Sequence, residues 1–284
     1  MRFEKWQALG NDYIVLEADE LSFELTAGRV RAICAAHFGC HSDGILLLSR
    51  SPEPRYVADL RIFNPDGSEA ELSGNGVREA VLYLRRAGWT DADTFTISTV
   101  AGEITPTLTG PGSARVAMGR AATVSKDFPD GPPDGRGSIA VGKRELPFQH
   151  VSIGNPQCAI EVEDGLEELD LPTVGAPIEA GAGLFPNRTN VSFWRVEDRE
   201  ARRIRARIFE RGVGETLSSG TGASGAAIAA WLRGLPSPIT VLLDGGELEV
   251  EISDELDVLL TGTAEPVFAG EFSPEFVAAL ERSP

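Results

Sequence analysis

Residues 207–222 read RIFERGVGETLSSGTG, and residues 61–76, 146 positions earlier, read RIFNPDGSEAELSGNG. At that offset Arg61, Ile62, Phe63, Glu69, Ser73, Gly74 and Gly76 fall on Arg207, Ile208, Phe209, Glu215, Ser219, Gly220 and Gly222. Ala80 and Gly88 meet Ala226 and Gly234 at the same spacing, and the pair Gly10-Asn11 recurs as Gly154-Asn155. Self-similarity of this extent marks a duplicated unit of about 140 residues. Two copies are too few for a solenoid, so the pattern predicts two homologous domains related by a pseudo-twofold axis, with expected bounds 1–120 and 121–265.

The same order of elements is expected in both copies. In the first, strands run through residues 2–17, broken at Gly10-Asn11-Asp12, then through 45–49 and 58–63, the last ending in the turn Asn64-Pro65-Asp66-Gly67. A helix is expected from Ala27 to His37, capped by Thr26 and stopped by Gly39, with Val30, Ile33, Cys34 and His37 as its apolar stripe. A second helix opens at Ser73-Gly74-Asn75-Gly76 and runs to about Arg86. In the second copy the matching strands lie near 147–153, 157–163, 189–195 and 203–210, and Ser219-Gly220-Thr221-Gly222 opens a helix through Leu232. Residues 110–137, rich in Gly, Pro and Asp, are the expected interdomain connection. Strands outnumber helices, so the fold class is α+β (mixed α/β), with one central helix in each half.

The chain carries 43 acidic and 26 basic residues, a net charge of −17. Nucleic acid and anionic membrane are poor partners for such a surface. The N-terminus, MRFEKWQALG, lacks the apolar run of a signal peptide, and three cysteines suit a reducing cytoplasm more than a disulfide framework. Cys34, His37, Cys40 and His41 offer four metal-ligating side chains, but their spacing fits no common zinc motif, so no metal is expected.

A helix that starts on Gly-x-Gly presents bare N–H groups, and its dipole adds about half a positive charge there. Such an end binds anions, although a lone serine before it is also an ordinary N-cap. Two at matching places in duplicated domains suggest one carboxylate gripped from both sides, with Ser73 and Ser219 flanking the carbon attached to it. That geometry suits removing a proton on one face and returning one on the other, which is racemisation or epimerisation of a small molecule. Asn64, Asn155, Asn190, Glu210 and Arg211 stand at turns or strand ends, where Arg211 could grip a second carboxylate and Glu210 an ammonium.

These motifs resemble the diaminopimelate epimerases. The likeness runs nearly end to end, through Leu9-Gly10-Asn11-Asp12, Gly39 to Gly44, Phe63-Asn64, Asp66 to Glu69, Gly74-Asn75-Gly76, Gly154-Asn155-Pro156, Asn187 to Asn190, Glu210 to Gly212, Gly214-Glu215-Thr216, Gly220-Thr221-Gly222 and Gly245-Gly246. The resemblance implies inversion of one α-carbon of LL-diaminopimelate without pyridoxal phosphate, metal or other cofactor, in the lysine and peptidoglycan pathway. It also implies a cytoplasmic homodimer whose final segment, about 266–284, returns to the first domain. Asn11, Asn64, Asn155, Asn190, Glu210 and Arg211 would then contact substrate, and Gly74, Asn75, Gly220 and Thr221 would hold the α-carboxylate.

The departures fall on the chemistry. Ser73 and Ser219 stand where the family pattern has catalytic cysteines, Gln157 where it has a histidine that tunes a thiol, and Glu79 and Ser224 where relatives often carry further cysteines. A thiol with a reference pKa of about 8.5 ionises far more readily than a serine hydroxyl. Three readings stay open: an epimerase slowed or silenced by its serines; a relative repurposed as another amino-acid isomerase or dehydratase, or as a non-catalytic binder of diaminopimelate; and serines introduced to trap substrate.

Overall fold

The computed structural model describes residues 1–142, 144–181 and 183–283. The chain divides into two compact units, one of residues 1–116 and 262–284 and one of residues 117–261. In chain order the first unit contributes β1 (Arg2–Ala8), β2 (Asn11–Glu17), α1 (Ala27–Cys34), β3 (Ile45–Ser49), β4 (Asp59–Phe63), β5 (Glu69–Ala70), α2 (Gly74–Arg86), β6 (Ile97–Thr99), β7 (Gly102–Ile104) and β8 (Thr107–Gly110). Strand β9 (Ser113–Arg120) carries the chain out of it. The second unit holds β10 (Arg136–Val141), β11 (Arg144–Ser152), β12 (Pro156–Glu161), α3 (Leu171–Glu179), β13 (Asn190–Asp198), β14 (Arg203–Glu210), β15 (Gly214–Thr216), α4 (Gly220–Leu232), β16 (Ile239–Leu243) and β17 (Gly246–Ile252). Strand β18 (Asp257–Thr263) leads back, and β19 (Glu265–Glu271) and α5 (Pro274–Arg282) finish the first unit.

The duplication written in the sequence is a duplication of topology. In the first unit β1 pairs antiparallel with β2, β2 parallel with β3, β3 antiparallel with β4, and β4 parallel with β6 across α2. In the second β11 pairs antiparallel with β12, β12 parallel with β13, β13 antiparallel with β14, and β14 parallel with β16 across α4. The short strands match as well: β5 folds back on β4 and β15 on β14. Even the outer partner is reproduced, with β19 beside β1 and β10 beside β11.

Each unit lays its sheet on its own helix. Helix α4, GTGASGAAIAAWL, is apolar on every side, and its residues Gly222 to Ala230 are all buried. Helix α2 is buried over nearly its whole length, even at Arg78 and Glu79. Both helices approach their sheet closely at the third residue. A Cβ on Gly76 would stand 2.9 Å from Leu46 Cδ2, and one on Gly222 would stand 2.9 Å from Ile208 Cγ2. Leu46 lies on β3 and Ile208 on β14, the counterpart of β4, so the two contacts fall on different strands of the repeat. A side chain at either place would crowd Leu46 or Ile208, which would have to shift to make room.

Some local expectations need correction. Helix α1 ends at Cys34, so His37 lies beyond it and is exposed, while Val30, Ile33 and Cys34 stay buried, Cys34 Sγ 3.4 Å from Ser42 Oγ. The break near Gly10 is a two-residue turn of Leu9 and Gly10, both with positive φ, which makes Asn11 the first residue of β2. Part of the stretch expected to be a connection is an antiparallel hairpin, with Thr107 opposite Arg115 and Leu108 opposite Ala114.

Gly76→Ala and Gly222→Ala should each lower stability by about 1–3 kcal/mol, the cost of overpacking a close contact. Urea unfolding of each variant beside the parent, read by fluorescence, checks this.

Candidate active site

In the first unit the start of α2 is built around Ser73. Its backbone is extended, φ −137 and ψ 119, and its Oγ accepts a hydrogen bond from Gly76 N at 3.0 Å, an N-cap that leaves the amides of Gly74 and Asn75 at the helix mouth. Asn75 Nδ2 donates to Asn11 Oδ1 at 3.1 Å, and Asn11 Nδ2 donates to Asp43 Oδ2 at 2.8 Å. From below, Arg78 donates to Asn75 Oδ1 at 2.8 Å and to Gly74 O at 3.1 Å. Asp43 and Asp12 lock the loop by exchanging backbone and side-chain bonds, and Lys5 pairs with Asp12. Asn64 stands apart from this chain; its Nδ2 holds its own turn through Ser68 Oγ at 2.9 Å.

The second unit repeats the plan with different chemistry. Ser219 is also extended, φ −146 and ψ 123, and accepts from Gly222 N at 3.2 Å. Asn155, the counterpart of Asn11, donates to Thr221 Oγ1 at 3.3 Å, and Thr221 is the counterpart of Asn75. Here the capping hydroxyl has an acceptor: Ser219 Oγ donates to Glu210 Oε2 at 2.9 Å, while Thr216 Oγ1 donates to Glu210 Oε1 at 2.8 Å. The β14–β15 hairpin brings this about, since it turns the chain back between Glu210 and Ser219. Burial pushes the Glu210 carboxyl above its ordinary range, against the opposing pull of the Thr216 and Ser219 hydroxyls. A carboxylate so placed is a stronger base than one in water.

Asn190 and Arg211 are also brought together. Arg211 N donates to Asn190 Oδ1 at 2.9 Å, Asn190 Nδ2 donates to Pro156 O at 3.2 Å, and the exposed Arg211 guanidinium reaches Asn187 O at 3.0 Å. Gln157 is fully buried beside Gly225 and donates to Asn155 Oδ1 at 2.6 Å, so it orients that amide; Ser219 is not among its partners. None of the three histidines joins either serine. His37 and His41 are exposed, and His150 is sealed between Phe128 and Phe185 with Ser125 Oγ at 2.9 Å from its Nε2, its pKa lowered by burial. Among the described residues no group of three or more His, Cys, Asp or Glu side chains could hold a metal, and no helix is long and apolar enough to cross a membrane.

Three residues of these half-sites take roles that motif reading does not assign. Thr216 fixes Glu210, and Arg78 fixes Asn75. The third is Tyr13, whose hydroxyl donates to Ser73 Oγ at 3.3 Å. Its only signal in the sequence is its place in the repeat, two residues after a Gly-Asn pair, where the second copy has Gln157.

The sequence model of the diaminopimelate epimerase family matches residues 3–124 and 149–267. The chain belongs to the diaminopimelate epimerase family. A relative from Nostoc sp. named diaminopimelate epimerase 2 is 40% identical over 283 residues, covering 98% of either chain. The diaminopimelate epimerase of Pelotomaculum thermopropionicum is 38% identical, covering 96% of this chain and 99% of its own. Membership makes this chain an enzyme of the isomerase class. The fold extends further. A phenazine biosynthesis protein of the PhzF family from Bacillus anthracis has a TM-score of 0.66 at 17% identity, over 96% of this chain and 99% of its own. A hydroxyproline epimerase from Agrobacterium vitis has a TM-score of 0.64 at 15% identity, over 95% and 91%.

Behind the first helix start lies a buried charge problem. Glu79 is fully buried, neither of its carboxylate oxygens has a hydrogen-bond partner among the described residues, and burial raises its pKa well above the ordinary range despite the neighbouring Arg78. Burial also lowers Arg78 to about 10. A carboxyl held protonated by the fold contributes stability that is complete below the ordinary carboxylate range and is lost as pH rises through the raised value. Stability of the parent should therefore fall as pH rises above the ordinary carboxylate range, by at most about 1.4 kcal/mol per pH unit while Glu79 alone titrates. Glu79→Gln should flatten that slope, as measured by urea unfolding at successive pH values.

Proposed function

We propose that this enzyme is an amino-acid epimerase that interconverts LL- and meso-diaminopimelate without pyridoxal phosphate, transferring the α-proton between two acid–base groups. One observation carries the reading: Ser219 Oγ caps a glycine-rich helix start and donates to the buried Glu210 carboxylate at 2.9 Å, in a chain whose other copy repeats that cap at Ser73. The diaminopimelate epimerase names of the relatives supply the substrate.

On this reading Gly74, Asn75, Gly220 and Thr221 provide the N–H groups that hold the substrate's α-carboxylate. As the α C–H bond breaks, its electron pair flows into that carboxylate, and the preorganised donors stabilise the enediolate that forms. Ser219 Oγ takes the α-proton while its own passes to Glu210, so the hydroxyl never has to exist as a free alkoxide. Ser73 returns a proton to the opposite face. Asn11, Asn64, Asn155 and Asn190 orient the rest of the substrate, Arg211 grips its distal carboxylate, and Gln157 keeps Asn155 in register. The enzyme acts as a cytoplasmic homodimer in the synthesis of lysine and peptidoglycan precursors.

The serines also favour a second reading, a binder of diaminopimelate that no longer turns it over. Incubation with LL-diaminopimelate in D₂O separates the two: α-proton loss by NMR together with appearance of the meso isomer supports the epimerase, and saturable binding with no exchange supports the binder. In the epimerase, Glu210→Gln should slow exchange by about 10²–10⁴-fold, and the rate should rise with pH through the raised Glu210 pKa because the carboxylate form is the base. Arg211→Ala should weaken binding about 10- to 100-fold by calorimetry, the worth of a charge-assisted contact. If Arg211→Ala binds as the parent does and nothing exchanges, the substrate is wrong.

A further inference from the structure

Serine is a poor acid–base group unless a neighbour shares its proton, and the two half-sites supply that neighbour differently. Ser219 Oγ accepts one bond from Gly222 N and donates to Glu210. Ser73 Oγ has two hydrogen-bond partners among the described residues and both donate to it: Gly76 N at 3.0 Å and Tyr13 Oη at 3.3 Å. Glu210 can only accept the proton of Ser219 in its ionised form, whereas Tyr13 is aimed to give one. The first serine is therefore set up to donate and the second to abstract.

The Tyr13 ring is held where this requires. It is 5% exposed, packed with Trp6, Val15, Leu46 and Val77 in the core over α2. Gly44 passes directly under it, so closely that a Cβ there would be 2.7 Å from Tyr13 Cε1. The ring is buried and closely packed. At 3.3 Å the contact is longer than a closed O–H···O bond, as catalytic contacts often are before substrate tightens them.

We infer that Tyr13 is the proton-relay residue of the first half-site: its phenol hydrogen-bonded to Ser73 Oγ supplies the proton that Ser73 delivers to the substrate carbon, and takes it back in the reverse reaction. The role rests on the epimerase reading above. As the enediolate collapses, the Ser73 O–H bond breaks and a C–H bond forms on the α-carbon. The Tyr13 O–H bond breaks in the same event and remakes the serine hydroxyl, leaving a phenolate. Water reprotonates the phenolate, and water removes the proton held on Glu210, so the cycle closes with no net change. Tyr13 acts through Ser73 and is a positioning residue; it does not touch the carbon.

The test compares the parent, Tyr13→Phe, Ser73→Cys and the double variant, each with LL- and with meso-diaminopimelate in D₂O, reading α-deuteration by NMR and inversion by chiral chromatography. Phenylalanine keeps the ring that fills the core, and unchanged near-ultraviolet circular dichroism verifies the packing. In Tyr13→Phe, inversion should fall at least about 100-fold with KM unchanged. Exchange of the isomer whose α-proton faces Ser219 should stay within about threefold of the parent, and exchange of the other should be lost. In the Ser73→Cys background, where the thiol can ionise by itself, adding Tyr13→Phe should cost less than about threefold. A merely structural tyrosine would lower exchange of both isomers alike and would cost as much with cysteine as with serine. That result overturns the relay, as does a Tyr13→Phe enzyme that inverts like the parent. A parent that neither exchanges nor inverts either isomer overturns the epimerase reading itself, and the relay with it.

Discussion

The start of each central helix packs a glycine directly against a side chain of its sheet, Gly76 on Leu46 and Gly222 on Ile208. With Gly76 and Gly222 in the third position, Ser73 and Ser219 can sit extended on the strand side and cap the helix, while the amides of Gly74, Asn75, Gly220 and Thr221 are left at its mouth. Enlarging either glycine would move the cap, the exposed amides and the serine hydroxyl together. The helix-mouth amides and the capping hydroxyl are one construction because the same turn of backbone supports both.

Around that shared construction the two copies have diverged in the partners they give the serine. In one, the β14–β15 hairpin returns Glu210 to Ser219 and Thr216 pins the far oxygen. In the other, the hairpin β4–β5 ends in a tight turn where Asn64 bonds Ser68, and the partner comes from β2 instead. A carboxylate beside one serine and a phenol beside the other give two hydroxyls of identical intrinsic acidity opposite tendencies. Glu79 is buried in the same helix as Gly76, where burial raises its carboxyl pKa well above the ordinary range.

Much of this was legible in the sequence. The repeat, the serine caps, the Gly-Asn turns and the strand order follow from local patterns of period, cap and turn, and the contact of Asn155 with Thr221 mirrors that of Asn11 with Asn75 as the repeat implies. The apolar periodicity misplaced His37, because α1 stops a turn earlier than its stripe suggests once Cys40 N bonds back to Ile33 O. Gln157, flagged only as a departure, turned out to be a fully buried amide that orients Asn155.

By itself the sequence determined that the chain is a duplicated α+β protein with two capped glycine-rich helix starts, since capping, turns and strand alternation are properties of a few neighbouring residues. Only the tertiary structure decided which group shares each serine's proton. Glu210 and Ser219 are nine residues apart and meet because a hairpin closes. Tyr13 and Ser73 are sixty apart and meet because β2 and α2 pack in one core. Donor and acceptor roles at a hydroxyl are set by what lies within about 3 Å of it, and no local pattern carries that distance.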